Sequence, residues 1–197
     1  MRISHTTVIA GVIAASMPAG VTLVGCSSHS TSSAPTSGSV TTTTTHAQVS
    51  DYTTLLIKAS DINAPEPFTA SPAVKNPNGQ QGATTTFSDQ DHSHSIVDTI
   101  QVLPDPAAAA NALDSAKAVQ HESLQAKPMS VDVGVDGTTI SGSSPDRSKG
   151  VTVLLFTEGK AFVTLEFDGP SYALAPPEFI TDVGDKQDAA IKKGLGG

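Results

Sequence analysis

Apolar side chains recur at alternate positions in several segments of the second half of this chain, the period of a strand with one buried face. Val163, Leu165 and Phe167 alternate with Thr164, Glu166 and Asp168, which predicts a strand over 160–168. Ile96, Ile100 and Val102 share one face of a second strand, 95–103, with Asp98 interrupting that face. A strand over 83–88 precedes it, joined by a polar turn at 89–94. The segment 151–157 is apolar on both faces and is expected in the centre of the sheet. Glu158-Gly159 turns the chain from it into 160–168, and Asp136-Gly137, a type I′ dipeptide, is expected to join 129–135 to 138–141 in a tight hairpin.

Two segments follow the helical period instead. Asp105-Pro106 supplies an N-cap with proline at the first helical position, and an alanine-rich run continues to about residue 125. Leu113, Ala116, Gln120 and Leu124 fall on one face, and Pro128 closes the segment. Pro176-Pro177 opens a second helix with Phe179, Ile180, Val183, Ala190 and Ile191 at helical spacing. Lys192 and Lys193 suit its negative end, and Gly194 is expected to stop it. Residues 51–57 read as a short helix or edge segment, and the stretch 64–81, with Pro65, Pro67, Pro72 and Pro77, as a long irregular loop. The order predicts an α+β fold: an antiparallel sheet of about five or six strands packed by two main helices, in a single domain over 51–197.

Ahead of the domain the pattern breaks down. Arg2 precedes a mostly apolar run over 8–24 that is interrupted by Ser16, Pro18 and Gly20, too short and too broken for a spanning helix and suited to a cleaved signal. The run ends in Leu23-Val24-Gly25-Cys26, which contains the chain's single cysteine and reads as a lipobox with cleavage after Gly25. Residues 26–50 are dominated by Ser and Thr, including Thr41 to Thr45, and predict a flexible linker of roughly 26 Å r.m.s. span. The same composition suits O-glycosylation.

Composition narrows the function. The formal net charge of −8 disfavours nucleic acid, which needs a basic surface to displace counterions. With Cys26 committed to lipid, no cysteine remains for a disulfide, a thiolate nucleophile or a metal. Catalytic and cofactor motifs are near misses. His121-Glu122 begins the zinc-protease pattern, but Gln125 stands where the second histidine is needed. Asp132, Asp136 and Gly137 imitate part of a calcium loop, yet Gly134 and Ser143 replace required ligands. There is no Gly-x-Ser-x-Gly elbow and no phosphate-binding glycine loop, so no cofactor is expected.

The densest cluster of candidate ligands is Asp89, Asp91, His92 and His94, four side chains able to hold zinc or copper, weighed against a solvated turn. Asp98 is expected to pair with a lysine or arginine, to mark an open end of its face, or to touch a ligand. Ser95, His94 and Asp98 would be members of a dispersed hydrolytic site.

The lipobox resembles those of bacterial lipoprotein precursors, and the resemblance implies a diacylglycerol thioether on Cys26. The layout as a whole, with its Ser/Thr linker, one acidic α+β domain and Asp185-Lys186-Gln187 in the closing helix, resembles small cell-envelope lipoproteins of mycobacteria and related actinobacteria. Within these it is similar to the LpqN type, with folds like the Mog1 and PsbP proteins. The expected function is a membrane-anchored, extracytoplasmic binding or interaction module for a lipid, an envelope component or a protein partner. An envelope hydrolase with a dispersed Ser/His/Asp site is the alternative.

Overall fold

The computed structural model of the chain describes residues 51–196, and the readings of the signal, of Leu23, Val24, Gly25 and Cys26 and of the linker lie outside them. The fold is α+β, with an open antiparallel sheet of eight strands. In chain order these are β1 (Thr69–Ala70), β2 (Val74–Lys75), β3 (Gly82–Ser88), β4 (Ser95–Val102), β5 (Met129–Ser130), β6 (Val135–Ser143), β7 (Lys149–Glu158) and β8 (Ala161–Pro170). They lie in the order β1-β3-β4-β8-β7-β6-β5, with β2 also pairing β3. Helix α1 (Pro106–Leu124) follows β4, helix α2 (Pro177–Leu195) ends the fold, and single 3-10 turns occupy Tyr52–Leu55, Ala59–Asp61 and Pro77–Gly79.

The two helices cover opposite faces. Register places Ile96 opposite Phe167, Asp98 opposite Leu165 and Ile100 opposite Val163, so these positions share one face. That face packs with Ile180, Val183 and Ile191 of α2 and with Leu55 and Ile57 from the start of the domain. On the other face Ala109, Leu113 and Leu124 of α1 meet Ile140, Val151, Val153, Leu155 and Phe162. β7 feeds both cores, Leu154 and Phe156 to one and Val151, Val153 and Leu155 to the other, which explains its unbroken apolar run. The Asp105 carboxylate caps α1 by accepting from the Ala108 amide at 2.8 Å. At the other end of α1 the ring of His121 bonds the Ala126 carbonyl oxygen through Nδ1, at 2.7 Å, a helix-capping role for the residue that began the zinc-protease pattern.

Four local expectations change. The proline-rich stretch contributes β1 and β2, both along the outer edge of β3, where the Ser71 amide donates to Thr86 O and the Asn76 amide to Gly82 O. An edge strand's free amides and carbonyls need partners, and only one side of a proline-bearing segment has to bond there. The Asp136-Gly137 pair is a bulge inside β6, not a two-residue turn: register slips between Val135 and Thr138, and Asp136 has φ 55°. The chain instead loops through residues 131–134 to bury Val133 against α2, and a Cβ at Gly137 would collide with the Val131 and Val133 carbonyl oxygens. Of the predicted 129–135 strand, Met129–Ser130 pairs with β6, and Val135 pairs with Thr157 as the first residue of β6 itself. Finally, Gly194 lies within α2, where the Leu55 side chain leaves no room for a Cβ, and the left-handed Gly196 ends the helix by donating to Lys192 O.

Candidate functional site

At the end of the sheet where β4 begins and β8 ends, α2 and the loops do not close over the apolar face, and a groove of about 820 Å³ remains. Its floor is Ile96, Phe167 and Gly169. One wall is the start of α2, with Pro176, Glu178, Phe179 and Asp182, and the loop from Ala173 to Ala175. The other wall is the segment Asn63 to Glu66 with Phe68, part of the proline-rich stretch. Phe167 and Phe179 meet edge to face with ring centres 5.9 Å apart, an apolar platform at the centre of the groove. The volume lies in the range of small-molecule pockets.

The β3–β4 connection forms the polar end. Asp89 is 3% exposed, and its Oδ2 accepts from Ser93 Oγ (3.0 Å), the His94 amide (3.0 Å) and His94 Nδ1 (2.8 Å). Its Oδ1 has no partner. Burial works against the charge on Asp89, but the hydrogen bonds from His94 and Ser93 outweigh it and hold the carboxyl below the usual carboxylate range. The His94 ring is half exposed and lies against Gly169, where a Cβ would come within 3.2 Å of it. Glycine at that position makes room for the imidazole.

This arrangement sorts the candidates from the sequence. Of the four proposed metal ligands, Asp89 and His94 come together. Asp91 turns back to accept from the Ser93 amide at 3.0 Å, and His92 is exposed at φ 59°. Among the described residues no group of three or more His, Asp or Glu side chains is placed to hold a metal ion. Ser95, His94 and Asp98 do not converge: no hydrogen bond joins Ser95 or Asp98 to the His94 ring. Ser93, not Ser95, is the serine at the ring, and Ser93 Oγ lies 2.9 Å from the same Nδ1 that faces Asp89. A relay needs the hydroxyl on one ring nitrogen and the carboxylate on the other. Here both sit on Nδ1, which fixes the ring's orientation and leaves Nε2 as the unused nitrogen.

Asp98 has neither a cationic partner nor an open face. It is fully buried, both its carboxyl oxygens lack hydrogen bonds, and burial pushes its pKa up to about 8, offset in part by the nearby Ile57 amide. That amide donates to Gln187 Oε1 at 3.1 Å, while Gln187 Nε2 donates to Leu55 O at 2.8 Å. Gln187 is completely buried in α2 and clamps the end of the first 3-10 turn and the residues just after it onto the helix. A buried glutamine on the apolar side of a helix signals such a clamp. The sequence placed Gln187 in the closing helix without assigning it a role.

Four salt bridges reinforce the packing around these sites. Lys149 pairs with Asp168 at 2.6 Å, Lys186 with Asp182 at 2.7 Å, and Lys192 with both Asp188 (2.6 Å) and Glu158 (3.6 Å). The bridge to Glu158 ties α2 to the end of β7. Comparison of the chain with protein-family models, with curated proteins and with solved structures found no match.

Proposed function

We propose that this chain is a lipid-anchored cell-envelope protein, held on the extracytoplasmic face of the membrane through Cys26, whose domain is a non-catalytic binding module with its ligand in the groove beside α2. The observation that carries the reading is the groove itself, an apolar aromatic floor left open at one end of an otherwise closed core, with a fixed polar cluster at its margin. Sites with this balance of apolar area and a few oriented polar groups hold small ligands. The Ser/Thr linker supplies reach from the bilayer, and the acidic composition keeps the domain from adhering to anionic headgroups. Kinship with the actinobacterial LpqN-type lipoproteins belongs to the same proposal.

Native mass spectrometry of the processed protein tests the binding reading. A co-purified small molecule is expected on the wild type and absent from Phe179→Ala, which removes half of the aromatic platform. Retention of the same ligand by a folded Phe179→Ala protein would place binding elsewhere. Cys26→Ala tests the anchor independently. The variant is expected to appear in the soluble fraction or as an unprocessed precursor, and its recovery as mature membrane-bound protein would refute lipidation at Cys26.

A further inference from the structure

We propose that the groove selects organic cations, molecules with an apolar body that packs on Phe167 and Phe179 and a protonated amine that faces the Asp89 end. The inference rests on the binding reading above and names its ligand class. Glu66, Asp89, Asp91, Asp168, Glu178 and Asp182 all line the groove, whereas no lysine or arginine among the described residues does. Lys149 answers Asp168 and Lys186 answers Asp182 from outside the lining. Glu66, Asp91 and Glu178 have no ion-pair partner among the described residues, and Asp89 has only an imidazole. A cleft with low-dielectric walls concentrates the field of such charges.

The polar end of the groove carries charge of the same sign. Asp89 is all but sealed from solvent and has its three donors on one oxygen, so Oδ1 is an acceptor without a donor on a residue that lines the groove. With its donors holding the carboxyl below the usual carboxylate range, Asp89 stays ionised and its charge acts on the groove through the local field. The positive pole of α2, about half an elementary charge, also reaches the groove, but the full charge of Glu178 in its first turn outweighs it. The apolar part of the ligand and its charge therefore have separate counterparts: the phenylalanine pair and the carboxylate margin.

Calorimetric titration of the full chain in nanodiscs, against empty nanodiscs, separates the two claims with three probes of one body: 4-phenylbutylammonium, 4-phenylbutanol and 4-phenylbutanoate. The ammonium is expected to bind at least about tenfold more tightly than the alcohol, with the carboxylate weakest, because a charge-assisted hydrogen bond contributes more than a neutral one. Glu178→Gln, on the exposed first turn of α2, and Asp89→Asn should each narrow the gap between ammonium and alcohol. Equal binding of ammonium and alcohol overturns cation selection and leaves groove binding intact. Binding of none of the three overturns both. An unchanged ammonium preference in both variants also overturns the proposal, since Glu178→Gln keeps the helix start and does not depend on the Asp89 loop folding.

Discussion

Replacing Asp98 with asparagine is expected to stabilise the protein at neutral pH and to weaken the pH dependence of its stability. The carboxyl is buried at the centre of β4 with neither oxygen hydrogen-bonded, and its pKa rises from 3.8 to about 8. The folded protein then keeps a proton that the unfolded chain releases. Between about pH 4 and pH 8 the native state binds more protons, so its stability falls as pH rises, and the contribution is fully present only below about pH 4. By pH 7 this linkage removes about 4 kcal/mol, at about 1.4 kcal/mol per pH unit. Asparagine keeps the shape of the neutral acid and has no proton to lose, but brings amide hydrogens that need acceptors. A net gain of about 1–3 kcal/mol at pH 7 follows. Urea unfolding at pH 5 and pH 8 gives the comparison. The wild type should lose stability between them, and the variant should lose less. Burial also raises Glu166 and Glu158, so the difference between the two proteins, not the wild-type slope alone, isolates Asp98. A wild type no less stable at pH 8 than at pH 5, relative to the variant, would contradict the assignment.

The second large effect is expected from Gln187→Ala. The substitution leaves the Leu55 carbonyl and the Ile57 amide without the bonds they make at 2.8 and 3.1 Å, and opens a cavity in a fully buried site. A cost of about 2–4 kcal/mol is expected from the unpaired groups and the void together. Its location is as diagnostic as its size. Amide hydrogen exchange should accelerate most over residues 52–57, because these are what the glutamine holds, while the paired strands β4, β7 and β8 lose only the global increment. Uniform acceleration over the whole domain would make Gln187 an ordinary core residue. The Ile57 amide that donates to Gln187 also lies near Asp98, so the double variant should depart from additivity.

How much of this was legible in the chain differs from element to element. The alternation through Val163, Leu165 and Phe167, the Asp105-Pro106 start of α1 and the apolar run over 151–157 each carry a local signal, and each element forms where its signal lies. β1 and β2 carried none. They consist of two residues each and exist because the outer edge of β3 had unpaired groups to offer. The Asp136-Gly137 dipeptide misled for a related reason: a left-handed residue followed by glycine serves a bulge as well as a turn, and the burial of Val133 against α2 decides between them. Gly194 likewise reads as a stop, whereas contact with Leu55 makes it an interior position of α2.

The site was legible in fragments. Asp89 and His94 stood out as part of a polar cluster, and the geometry of the β3–β4 turn selects them from it while turning Asp91 and His92 away. Asp98 stood out as an interruption of an apolar face, but its isolation from any cation became visible only with the neighbouring strands and α2 in place. Phe167 and Phe179 could not be separated from core residues, since an apolar side chain that lines a groove has the same period as one that lines a core.

By itself the sequence determined the α+β class, the antiparallel alternation, the starts of the two helices, the acidic balance and the expectation of an anchor at Cys26. These depend on residue type and short-range period, which act along the chain. Tertiary structure alone decided where α2 stops covering the sheet, which carboxylates face that opening, and that Gln187 binds the start of the domain. Each of these depends on contacts between segments far apart in sequence, more than 100 residues apart in the case of Gln187 and Ile57, and a local pattern of side chains carries no record of them.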